Sequence, residues 1–76
     1  MARREFEHFE AVSAAVPDEG GYRAAIAVKQ LNAGGAPRFH KVLPDSHFKT
    51  ALTADQAACD ELARLTGVDA DGELVW

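Results

Sequence analysis

The chain is poor in thiols, aromatics and long apolar runs, and each shortage closes off a class of protein. One cysteine, Cys59, excludes an intramolecular disulfide framework and a cysteine-rich zinc site, and points to a reduced cytoplasmic setting. No stretch approaches the roughly 18 apolar residues of a membrane-spanning helix. The opening MARREFEHFE has two arginines but no apolar run behind them, so no secretory leader is expected. With one Trp, one Tyr and four Phe in 76 residues, the large apolar side chains are few. Alanine makes up much of the hydrophobic content, and alanine buries little area.

A domain of this length buries only about 60% of the surface its unfolded chain exposes. A small, alanine-rich core of this kind gains from association, and a homodimer or another protein partner is therefore expected. The net charge of −4 argues against a protein that coats nucleic acid indiscriminately. The charge is unevenly spread. Residues 22–50 carry Arg23, Lys29, Arg38, Lys41 and Lys49 against Asp45, whereas residues 53–76 carry Asp55, Asp60, Glu61, Asp69, Asp71 and Glu73 against Arg64. Arg23, Lys29, Arg38 and Lys41 are the candidate anion-binding residues.

Residues 8–31 read as two strands joined by a Pro17–Gly21 loop. Pairing Val16 with Tyr22 sets Ala14 opposite Ala24, Val12 opposite Ile26 and Glu10 opposite Val28, which makes one face almost wholly apolar. Ser13, Arg23 and Lys29 then share the other face with small alanines. A competing pattern places Phe6, Phe9, Val12 and Val16 on one helical arc across residues 3–16, stopped by Pro17. The hairpin is preferred because it explains both segments together.

NAGGAP, residues 32–37, reads as loop, Arg38 to Leu43 as a third strand and His47 to Thr50 as a short fourth. A helix is expected over residues 54–66. Thr53 is its N-cap, with Gln56 completing a capping box and Gly67 as a left-handed C-cap. Ala54, Ala58, Leu62 and Leu65 form its buried stripe, and Asp60 can pair with Arg64. Beyond it, VDADGELVW turns at Asp71-Gly72 into a terminal strand ending at Trp76, either a core plug or an exposed interface anchor. The expected architecture is one small α+β domain over residues 1–76, with a three- to four-stranded antiparallel sheet and one C-terminal helix packed on a face.

Candidate chemistry is thin. His8, His40, His47 and Cys59 are metal-ligand types, but either hairpin register across Pro44–Ser46 keeps His40 and His47 apart, in one case by roughly 13 Å. Cys59 lies within the helix among acids that disfavour a thiolate. DADGE lacks the length of a calcium loop, and NAGGAP lacks a P-loop lysine. No nucleophile elbow or comparable signature marks a catalytic centre. The sequence therefore points to a non-enzymatic interaction or regulatory module without a cofactor. A nucleic-acid or other anion-binding protein is the alternative.

Two resemblances bear on this. With residues 3–16 helical, the element order is similar to a double-stranded-RNA-binding domain. Those domains grip phosphate with lysines at the start of their second helix, where this chain reads TADQAACDEL with no basic residue. GGYRAAIAV followed by HFKTALTADQAACDELARL resembles a group of small uncharacterised proteobacterial proteins, in which an antiparallel sheet precedes a Phe-x-Thr connection and an alanine-rich terminal helix. That resemblance implies a bacterial origin and the strand reading, and it implies no activity.

Overall fold

A computed structural model describes residues 2–31, 35–43 and 46–76. The element order is β1 (Arg3–Glu5), β2 (Phe9–Asp18), β3 (Gly21–Gln30), β4 (Arg38–Lys41), α1 (Ala51–Arg64), β5 (Gly67–Val68) and β6 (Leu74–Val75). The first four strands form an antiparallel sheet in sequence order, with α1 packed on one face. This is the expected α+β architecture. The N-terminal segment is strand, so the helix–sheet–helix order of a double-stranded-RNA-binding domain is absent.

The central hairpin departs from expectation by one residue. Val16 lies opposite Arg23, Pro17 opposite Tyr22 and Asp18 opposite Gly21. The strands run on past Pro17 and reverse at Glu19-Gly20, whose φ values of 33° and 79° give the two-residue turn that matches strand twist. Because side chains alternate, this slip turns β2 over relative to the expected pairing. Phe9, Ala11 and Ser13 now join Ala24, Ile26 and Val28 beneath the helix, while Val12, Ala14 and Val16 lie on the opposite face. Ser13, expected toward solvent, is fully buried.

The described parts of RFHKVLPDSHF do not pair with each other as strands. Arg38 to Lys41 pair with Val28 to Ala25, and Phe48 makes a single bridge to Tyr22 farther along the same edge of β3. Both pairings are antiparallel to β3, so the two parts run in one direction and neither expected hairpin register occurs. The expected fourth strand shrinks to that bridge. Gly21 permits it: a Cβ there would lie 2.5 Å from the Phe48 carbonyl oxygen and 2.6 Å from the His47 ring. Asn32–Gly34 of the expected loop, and Pro44 and Asp45 of the expected turn, lie outside the described residues.

The helix begins a turn earlier than expected. Thr50 is the N-cap, its hydroxyl accepting from the Thr53 N–H at 3.1 Å, while the Thr53 hydroxyl donates to the Thr50 carbonyl at 3.0 Å. Thr53 thus supports the cap that it was expected to supply. Leu65 ends the helix in extended backbone, and Gly67 enters β5 without a left-handed turn. Arg4 of β1 closes the carboxyl end by donating to the Leu62 and Leu65 carbonyls, where the helix dipole is negative. Ala54, Ala58, Leu62 and Leu65 are all buried, as their spacing requires. Arg64 pairs with Glu61 at 3.1 Å, one turn position from the expected Asp60.

The core joins Ala58, Leu62 and Leu65 of that stripe to Phe9, Ala11, Ala24, Ile26, Val28 and Val42. Phe6, Val68 and Leu74 pack at its margin. Asp69 organises the β5–β6 turn by accepting from the Asp71 and Glu73 amides at 2.9 and 3.0 Å. Trp76 is 55% exposed and stays out of the core.

Candidate functional site

The helix covers only one side of the sheet. On the other, the pairing places Val12 beside Ala27, and Ala14 beside Ala25, at the centre. Phe39 of β4, opposite Ala27, adds a ring that is 58% exposed. Between Val12, Ala14, Ala27, Pro37 and Phe39 lies a shallow groove of about 280 Å³, ended by Glu10 and Lys29. Ala25 is the one alanine of this centre with no exposed surface.

Charges frame the apolar centre. Glu10 and Asp18 mark the two ends of β2, and Lys29 and Arg23 the corresponding ends of β3. Arg3 bonds Glu10 at 2.9 Å and also meets Glu5. Arg23 meets Asp18 in a short ion pair, and that guanidinium holds the Asp18 carboxyl below its ordinary range. Neither the Lys29 nor the Lys41 side chain forms an ion pair among the described residues. The face therefore has an apolar middle with acid on one central strand and base on the next.

The candidate anion-binding residues do not form one patch. Arg23, Lys29 and Lys41 share the open face, interleaved with Glu10 and Asp18. Arg38 pairs with Val28, whose side chain lies under the helix, and turns to the opposite side. There its guanidinium donates to the Asp71 carbonyl at 3.0 Å and lies 3.6 Å from Glu73. Trp76, the candidate interface residue, lies just beyond β6 with its ring partly in solvent.

The histidines also separate. His47 Nε2 donates to the Asp18 carbonyl at 2.9 Å, whereas His40 Nδ1 lies 4.0 Å from the Glu73 carboxylate. His40 Nε2 is buried without a hydrogen-bond partner among the described residues. His8 is exposed near Glu7. No three His, Cys, Asp or Glu side chains among the described residues gather as a metal-binding group.

No protein-family model matches the chain, and neither the curated proteins nor the solved structures contain a match. No described helix is long and apolar enough to cross a membrane.

A polar cluster beneath the helix was not anticipated. Ser13 Oγ donates to Asp55 Oδ1 at 2.9 Å and accepts from the Ala2 amide at 2.8 Å. The Cys59 thiol lies 3.3 Å from Ser13 Oγ and 3.8 Å from Asp55 Oδ2. Burial pushes the Asp55 carboxyl upward, but the hydrogen bonds to it, that from Ser13 foremost, outweigh burial and hold it below its ordinary range. The cluster fastens β2 to α1 by satisfying groups that would be costly to bury alone. The spacing of Asp55 and Cys59, four apart on a helix, was visible in the sequence. Their partner was hidden by the expected register.

Proposed function

We propose that this chain is a non-enzymatic protein-interaction module whose open sheet face meets another protein. The observation that carries this reading is the apolar centre of the open face, half-buried Val12, Ala14 and Ala27 beside exposed Phe39, inside a charged frame. A two-layer domain covers one face of its sheet and ordinarily makes the other polar. This face keeps an apolar middle, and an apolar patch with a polar rim is the anatomy of an interface. The reading includes a bacterial, cytoplasmic setting. The anion-binding alternative draws less support, because Glu10 and Asp18 sit among the cations it requires and Arg38 lies on the other side.

The test is a photo-reactive residue installed in native cells at Ala27, on the open face, or at Ala63, on the outer side of the helix. Ala27 is expected to give discrete protein adducts and Ala63 none. Equal labelling from both positions, or no adduct from Ala27, would overturn the assignment of the face.

A further inference from the structure

Resting on the interaction-module reading, we infer that the partner covering the open face is a second copy of this chain, stacked with the two-fold axis along the strands. Two identical sheets can meet face to face with that axis along the strands or across them. Charge distinguishes the two. An axis along the strands, between β2 and β3, lays β2 over the partner's β3 at the same level. Glu10 then stands over the partner's Lys29, Val12 and Ala14 over the partner's Ala27 and Ala25, and Asp18 over the partner's Gly21, two residues along from the partner's Arg23. Each contact occurs twice, and the charged pair that is superposed, Glu10 with the partner's Lys29, is opposite in sign. An axis across the strands at the level of Ala14 instead sets Glu10 against the partner's Asp18, which is like against like, and leaves Lys29 over the partner's Gly21. The register of this one hairpin thus makes the face complementary to itself in one orientation.

Lys29 supplies the unspent charge: it is exposed and has no ion-pair partner within its own described chain. The small side chains at the centre let two backbones approach closely. Strands about 4.8 Å apart and residues about 3.3 Å apart give a footprint near 450 Å² per chain, or on the order of 900 Å² in the pair. That is the size of a weak, transient complex. The dimer is therefore reversible and fills as concentration rises.

Sedimentation of the whole chain from micromolar to several hundred micromolar tests this. The apparent mass should rise from 8.2 kDa toward twice that value. Lys29→Glu or Glu10→Lys alone should weaken association about tenfold, since each puts like charges together in two symmetric places. The double exchange Glu10→Lys with Lys29→Glu should restore it to within about threefold, and each single variant should keep the circular dichroism of the parent. Tightening by Glu10→Lys would overturn the axis, because only the crossed arrangement sets position 10 over the partner's Asp18. A dimer indifferent to all three variants would overturn the face. A strict monomer at several hundred micromolar would overturn the second copy as occupant. In that last case, adducts from Ala27 to a different protein would leave the interaction-module reading intact, and their absence would end it too.

Discussion

The two faces of this sheet share a centre of small apolar residues and live in different surroundings. Under the helix, Ala11 and Ala24 support Ile26, Leu62 and Leu65 with no surface left to water. On the other side, Val12, Ala14 and Ala27 form an equally small-featured centre whose only large member, Phe39, is exposed. The charges of β2 and β3, Glu10, Asp18, Arg23 and Lys29, all lie on the open face. The helix also presents Ala54, Ala58 and Leu62 to one face, whereas no described helix packs on the other. Small side chains permit close approach on both sides, but only one approach is made within the chain.

The comparison breaks most severely at Leu62. Leu62→Ala opens a cavity under the helix and should cost about 2–5 kcal/mol. Against the roughly 4–11 kcal/mol expected of a chain this long, that loss removes much of the folded population, and urea unfolding followed by circular dichroism will measure it. Truncating Phe39 on the open face of the dilute monomer should change stability far less.

A smaller effect sharpens the same contrast. Ser13→Ala leaves Asp55 and the Ala2 amide without their shared partner and should cost about 1–3 kcal/mol in the same measurement. Ala14→Ser, one residue along and on the other face, should stay within about 0.5 kcal/mol. If the two substitutions were equally mild, Ser13 would not be the buried residue of the pair, and the strand would be turned over.

The smallest effect concerns the charged frame. Because Arg23 holds the folded Asp18 carboxyl below its unfolded value, the pair stabilises the folded state above the ordinary carboxylate range. That contribution is lost as pH falls through the depressed value. Asp18→Asn should therefore be slightly less stable than the parent at pH 7 and converge with it in acid. Thermal melts at a series of pH values will show this, and a difference that grew toward low pH would contradict it.

Much of the fold was legible, and its limits have identifiable causes. The helix announced itself because Ala54, Ala58, Leu62 and Leu65 recur at helical spacing, and the hairpin because apolar residues flank a Gly-containing turn. The register was not legible because alanine occupies both parities of β2 and β3, so hydropathy weakly favoured burying Val12 and Val16. The actual turn uses only Glu19 and Gly20, and that choice alone decides which parity meets the helix. The course of RFHKVLPDSHF was hidden for a different reason. Local turn chemistry around Pro44 suggested a reversal, while the edge of β3 accepts both parts of the segment in one direction and Gly21 makes room for the second. Of the candidate site, the charges of Arg23 and Lys29 were placed on the open face from sequence. Their acidic neighbours Glu10 and Asp18, which give the face its alternating pattern, emerged only with the pairing.

The most direct measurement of the open face is paramagnetic attenuation of methyl signals by a soluble probe, recorded as protein concentration is raised. The methyls of Val12, Ala14 and Ala27 should become protected together, while those of Leu52 and Ala63 on the helix stay accessible. Unchanged attenuation on the open face at concentrations where the chain has associated would contradict the account, because the association would then lie elsewhere.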